Sequence, residues 1–305
     1  MRQPQRSEAS FQIDRLFEDY RKAAGACLEP LVRAYYPELY RDRRDECRKM
    51  MELSAKMTVV GHACSEICGY PYDARRQRIG SLFGGCCFLA DSFLDDFGND
   101  AARDYLERFE LLLTTGWFEI RTPREKLFYV IISRLFAERD VLDRFLRQAI
   151  LLLLNAQKRD VQVRLDRSSF DDLPRHQQLH VLRENARNRS GHAILVLTGF
   201  LVPELPLRYA SLIFLAGSLI MYIDDHGDYY SDLFYNRLTY INQVADPERT
   251  LRRLFYVYMK RLSDGLPEGN GRDVMIGFMT KYYLTRLRKH RLQKPQQELP
   301  WAVYE

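Results

Sequence analysis

The stretch Leu219-Ile-Met-Tyr-Ile-Asp-Asp-His-Gly-Asp-Tyr-Tyr-Ser-Asp232 runs an apolar segment into the carboxylates Asp224, Asp225, Asp228 and Asp232. Asp224, Asp228 and Asp232 stand four residues apart, so on a helix they share one face with neighbouring Cβ atoms about 5–6 Å apart. At an effective dielectric of about 20, each neighbouring pair of like charges costs roughly 3 kcal/mol. Such a stripe needs open water or a counter-charge. Acidic helix ends are commonly solvated, but residues 209–223 are apolar almost all round, the pattern of a core helix rather than a surface one. The acids therefore stand at the mouth of a core, where a hard, oxygen-seeking divalent cation such as Mg²⁺ is the natural counter-charge.

The same arrangement recurs earlier. Residues 79–90, Ile-Gly-Ser-Leu-Phe-Gly-Gly-Cys-Cys-Phe-Leu-Ala, lead into Asp91-Ser-Phe-Leu-Asp-Asp-Phe-Gly-Asn-Asp100. Asp91 and Asp95 are i, i+4 partners, Asp96 borders them, and Asp100 falls beyond the helix end expected at Gly98. One core helix closing in carboxylates is a coincidence; two form a constellation. Phe88, Phe93 and Phe97 interleave with these acids and read singly as ordinary core residues. Between the clusters lies Leu182-Arg-Glu-Asn-Ala-Arg-Asn-Arg-Ser-Gly-His192, directly ahead of the apolar run 193–202. Arg183 and Arg187 share a helix face and Arg189 is displaced by two positions. Guanidinium forks suit phosphate oxygens. Gly191 permits a close backbone approach or a break. His192 and His226 have no Cys or second His at ligand spacing, so structural roles are expected.

The remaining chain is helical in pattern. Its 305 residues, 46% of them hydrophobic, suffice for one large core. Apolar residues recur at i, i+3/i+4 and strand-like alternation is nearly absent, so an all-α single domain of roughly ten helices is expected across 1–305, with tails at 1–10 and 293–305. Breaks are expected near Gly69–Pro71, Gly98, Gly116, Pro123, Pro174, Pro203/Pro206, Pro247 and 267–271. A net charge of +5 from well-mixed residues excludes a nucleic-acid partner and leaves room for an anionic ligand. The six cysteines form no CxxC pair and read as reduced thiols. The first residues are polar and carry no signal-peptide core, which points to a cytoplasmic location. The apolar runs 193–202 and 209–223 are too short to span a membrane and are parted by Pro203 and Pro206.

These motifs give the chain a resemblance to class I isoprenoid synthases, the all-α superfamily of terpene cyclases, prenyltransferases and squalene/phytoene synthases. Asp224-Asp-His-Gly-Asp228 matches DDxxD, and Asp224/Asp228/Asp232 copies the spacing of the second metal motif of terpene cyclases, with Asp in place of its hydroxyl residue and final Glu. Asp95-Asp96…Asp100 is one residue too long for DDxxD, whereas Asp91/Asp95 reads as the DxxxD of squalene and phytoene synthases. Within the superfamily, 219–232 and Ser190-Gly191 resemble segments of the large-terpene synthases related to tetraprenyl-β-curcumene synthase. The first motif is spaced differently there, and no C-terminal Arg-Tyr diphosphate sensor is evident here. The likeness covers about residues 60–290.

The resemblance implies a prenyl diphosphate held by three Mg²⁺ between the two acidic helix ends, with Asp91, Asp95, Asp96, Asp224, Asp225, Asp228 and Asp232 as ligands. Arg183, Arg187 and Arg189 would complete the clamp, and Phe83, Phe88, Trp117, Phe214 and Tyr222 would wall a cavity between helices 79–97 and 209–223. The basic, aromatic stretch 280–294 can be a diphosphate lid, for which Lys281 is the first choice, a membrane-surface contact or a solvated helix. Trp301 and Tyr304 would order the tail. The expected activity is conversion of one prenyl diphosphate to a terpene. The alternatives are head-to-head condensation of two, and a non-enzymatic helical scaffold that docks on membranes. A homodimer is compatible with each.

Overall fold

Periodicity and capping chemistry account for the elements found in the computed structural model, which describes residues 8–139 and 143–298. Fourteen helices and no strand occur among the described residues. Ten are long: α1 (Glu8–Tyr35), α3 (Arg44–Ile67), α4 (Ala74–Asp95), α5 (Asn99–Thr115), α6 (Pro123–Ala137), α7 (Arg144–Leu165), α9 (Arg175–Leu201), α10 (Leu207–Gly227), α13 (Pro247–Gly265) and α14 (Asn270–Glu298). Four are single-turn pieces: α2 (Pro37–Arg41), α8 (Arg167–Asp171), α11 (Tyr229–Phe234) and α12 (Tyr240–Gln243). Starts carry side-chain caps. Asp73, Asp143 and Asp246 accept from backbone N–H groups of α4, α7 and α13, and Thr122 with Glu125 forms a capping box ahead of α6. Gly116 closes α5 in the left-handed conformation (φ 76°). Trp301 and Tyr304 lie outside the described residues.

The crossings set where the acids go. On α4, a Cβ at Gly84 would fall 2.3 Å from the Ser54 Cα of α3, so only glycine lets these two backbones meet. On α10, a Cβ at Gly217 would fall 2.5 Å from the Ser190 carbonyl of α9. Gly191 does not break α9, which runs through it to Leu201; its missing side chain makes room for the Phe214 ring. Helix α9 packs against both α4 and α10 and so stands between them. Helices α4, α9, α10, α14 and α3 close into a ring, and α4, α5, α6, α7 and α9 surround a second, apolar interior.

Among the described residues α10 is the one helix long and apolar enough to cross a membrane by length and composition. It is longer than the apolar run 209–223 because its last turn carries the acids. It packs against α9, α13 and α14 as a core helix. All six cysteines are free thiols.

Candidate active site

Helical hydrogen bonding passes almost uninterrupted through the acidic stripe of α10. The Asp228 N–H donates to the Asp224 carbonyl at 2.9 Å and the Asp232 N–H to the Asp228 carbonyl at 2.8 Å, so the four-residue spacing survives the junction with α11. Asp224 and Asp228 turn toward α14. Arg286 pairs with Asp224 and reaches Asp228 at 3.5 Å, Lys289 pairs with Asp228, and the Tyr282 hydroxyl donates to Asp224. Gly227 makes this possible, since a Cβ there would fall 2.5 Å from the Arg286 Cδ. Two of the three acids of the stripe therefore take their counter-charge from the chain itself.

Lys281 holds a different place from the one expected. The helix begins at Asn270 rather than near Thr280, which puts Lys281 in its middle, where it pairs with Asp14 of α1. The groups of 280–294 that meet the acids are Tyr282, Arg286 and Lys289, spaced to share the α10-facing side.

At the end of α4, Asp95 is gripped by Arg164 of α7 at 3.2 Å and by Arg237, in the segment between α11 and α12, at 3.6 Å. Arg164 also lies 3.5 Å from Asp160, which holds Arg189 of α9 at 3.1 Å. Asp96 caps α4 on the exposed side, and Asp100 opens α5 against Arg103 at 3.0 Å. Among the described residues Asp91 has no ion-pair or hydrogen-bond partner. It lies deep among protein atoms while its carboxylate keeps surface accessible to water, the situation of a group in a recess. Burial, and then Asp95, push its carboxyl up to about 7, with Asp224 of the other motif adding to the rise and Arg189 opposing it.

Two acids of the α10 motif share this condition. Asp225 is buried, with Oδ2 unpartnered; burial and Asp232 raise its carboxyl well above the carboxylate range, against Arg189. Asp232 is pushed up to about 7 by burial and Asp228, with Asp224 and Asp95 adding and Arg237 opposing. Arg189 sits among all of them. Burial alone would lower its guanidinium, but Asp160, Asp95, Asp91 and Asp225 outweigh that and raise it. The two acidic helix ends thus form one electrostatic unit with Arg189, Arg164 and Arg237 inside it. Arginines stand beside the expected gap between them rather than closing it: Arg164 and Arg237 line, with Asp95 and Asp160, a pocket of about 370 Å³.

Below this cluster lies an apolar cavity of about 110 Å³. Its lining from α4 is Phe83, Cys86, Cys87, Ala90 and Leu94, and Asp91 falls on the same helical face, four residues after Cys87 and three before Leu94. Val196 and Phe200 of α9 and Ile150, Leu154 and Gln157 of α7 continue the wall. Gln157 precedes Asp160 by three residues, so α7 repeats the design of an apolar helix that closes in charge. The expected wall from 209–223 is absent, because α9 stands between α10 and the cavity.

Of the expected aromatics only Phe83 lines this space. Phe88, half-buried, is not among the lining side chains; Trp117 is 56% exposed; Phe214 packs on Gly191 and His192; Tyr222 is buried against Tyr240 and Tyr258. Of the three expected arginines, Arg183, Arg187 and Arg189, only Arg189 meets the acids. A displacement of two residues is about 200° around a helix. Arg183 therefore lies by Tyr222, and Arg187 stacks over Phe214 at 5.4 Å and meets Glu184. His192 and His226 are structural here, the first edge-on to Phe214 and the second buried against His290 at 4.1 Å.

The unpartnered donors Asp91, Asp225 and Asp232 are all carboxylates, a donor set that suits a hard cation such as Mg²⁺. Among the described residues no three His, Cys, Asp or Glu side chains converge as a ready-made metal cage. Comparison with protein-family models and with curated proteins matched nothing.

Proposed function

We propose that this chain is a Mg²⁺-dependent class I terpene synthase that ionises a linear prenyl diphosphate, releases diphosphate and converts the prenyl cation to a terpene. The observation that carries this reading is Asp91: a carboxylate on the face of α4 that lines an apolar cavity, electrostatically coupled to Asp224 of the second acidic motif. Asp91, Asp225 and Asp232 would hold the metal first, joined by Asp95, Asp96, Asp224 and Asp228. Bound Mg²⁺ supplies Lewis acidity toward the leaving diphosphate. Arg189, Arg164 and Arg237 offer fixed guanidinium donors in the same cleft, oriented by Asp160 and Asp95, for negative charge that grows as the C–O bond breaks. The cavity excludes water from the prenyl chain, and the faces of Phe83, Tyr105, Phe109, Phe128 and Phe200 line it with π-density suited to a carbocation. Departed diphosphate, retained by the arginines, is the base available for the final proton. Such an enzyme would work in the cytoplasm on a membrane-derived or soluble substrate, as a monomer or homodimer.

The test is incubation with prenyl diphosphates of ten to twenty-five carbons and Mg²⁺, with diphosphate release and products followed by mass spectrometry. A hydrocarbon or alcohol of the substrate's carbon number is expected. A thirty- or forty-carbon product from two identical substrates would assign head-to-head condensation instead. Liposome binding with no diphosphate release would assign a membrane-docking scaffold.

A further inference from the structure

A second cavity, of about 260 Å³, opens between α1, α3 and α14, separated from the acids by the side chain of Arg286. Its floor is apolar, formed by Ile13, Phe17, Val59 and Phe278. Its upper rim is cationic, formed by Lys56, Arg286 and Lys289. The guanidinium of Arg286 and the ammonium of Lys289 are engaged by Asp224 and Asp228, but among the described residues Lys56 has no ion-pair or hydrogen-bond partner and rests over the Tyr282 ring at 5.3 Å. Burial lowers the Lys56 ammonium, and repulsion from Arg286 adds to this against the attraction of Asp224, Glu52 and Asp228. A half-buried ammonium that touches a ring face but no anion is costly unless something else supplies its anion. A cavity that is apolar below and carries an unanswered cation above matches a molecule with the same polarity in reverse.

We infer that the α1/α3/α14 cavity is a binding site for an anionic amphiphile, its phosphate-type head group on Lys56 and the Arg286 side of the rim and its hydrocarbon tail on Ile13, Phe17, Val59 and Phe278. The site differs from the cavity under Asp91 in every wall and needs no metal. The head group draws on cations whose other side faces Asp224 and Asp228, so occupancy here and charge in the acidic cleft are linked.

Calorimetric titration in excess EDTA tests the site independently of the proposed catalysis, using decyl phosphate below its micellar concentration, inorganic phosphate, decanol and vesicles containing phosphatidic acid. Decyl phosphate is expected to bind at least about tenfold more tightly than either inorganic phosphate or decanol, since each lacks half of the complementarity. Lys56→Met should weaken decyl phosphate at least about tenfold and leave decanol within about twofold. Thr285→Trp, a change at an exposed position on the rim, should block both and does not disturb the core. Lys56-dependent binding of the dispersed amphiphile identifies a free ligand, and Lys56-dependent binding of vesicles alone identifies a lipid head group; both uphold the site. No binding of either, binding undiminished by Lys56→Met and Thr285→Trp, or inorganic phosphate binding as tightly as decyl phosphate overturns it.

Discussion

Replacing Asp232 by Asn isolates the electrostatic cost of the acidic cleft. In the folded chain the Asp232 carboxyl sits at about 7, against 3.8 for the free group. A carboxylate whose folded value is raised binds a proton that the unfolded chain has already lost, so its contribution to stability falls as pH rises from about 4 to about 7 and stays at its least favourable above that. Three units at about 1.36 kcal/mol each set a ceiling of about 4 kcal/mol. The side chain is only partly shielded from water, which reduces the realistic figure to about 2 kcal/mol. For a chain of this size that is about 4 °C in Tm. Scanning calorimetry in EDTA should therefore show Asp232→Asn more stable than wild type by about 4 °C near pH 8, with the gain at least halved near pH 5. Excess Mg²⁺ should then raise the wild-type Tm, by the mass-action term for a ligand that binds only the folded state, and leave the variant nearly unmoved. A variant that is less stable near pH 8 would refute the reasoning, because it would mean that Arg237 needs the carboxylate more than the carboxylate suffers from its neighbours.

Arg189→Ala should destabilise the protein by about 3 kcal/mol in urea titration, since it leaves Asp160, Asp91 and Asp225 without their shared cation, whereas Arg187→Ala, removed from the acids, should cost under about 0.5 kcal/mol and change kcat/KM less than about threefold. Gly227→Ala should lower the urea midpoint by about 1–3 kcal/mol of stability, because its Cβ collides with the stem of Arg286, and the loss should shrink in the double variant with Arg286→Ala. Gln157→Leu removes an amide whose Oε1 is buried without a partner beside the apolar cavity; a gain of about 1 kcal/mol is expected, together with a changed product distribution if the cavity holds the prenyl chain.

The fold was legible because its signals are local. Each expected break, from Gly69–Pro71 to 267–271, falls between observed helices or at the start of one, and the ten long helices agree in number with the roughly ten expected. What periodicity misses are pieces too short to show a period, such as α11 and α12, whose position is set by tertiary contacts. The site was legible only on the acid side. Asp91 and Asp225 announce themselves because a carboxylate after a long apolar run is unusual. An arginine after one is not, so Arg164 and Arg237 carried no comparable mark. The one available signal was the run Ile150–Leu154 leading through Gln157 to Asp160 and Arg164, a third apolar helix closing in charge. Arg183 and Arg187 share a face, yet sharing a face says nothing about which way that face looks. The packing of Gly191 against Phe214 turns it away from the acids and leaves Arg189 pointing at them.

Under the proposed reading, that division of charge lets one cleft be stable when empty and still receive a diphosphate with its metal. Asp95, Asp224 and Asp228 are each paired with arginine or lysine, while Asp91, Asp225 and Asp232 are not. A cleft in which every acid lacked a partner would cost several kcal/mol per buried charge. One in which every acid had a partner would offer a cation nothing. Under the proposed reading the unpaired acids receive the metal, and the arginines and lysine, released from the paired acids, pass to the diphosphate. The paired acids would exchange one opposite partner for another and the unpaired ones gain one, so binding would leave no charge alone. The exchange has a structural condition: Arg286 and Lys289 must reach both the carboxylates and the ligand from one helix. Gly227, by clearing the path across the end of α10, is what lets α14 approach closely enough to meet it.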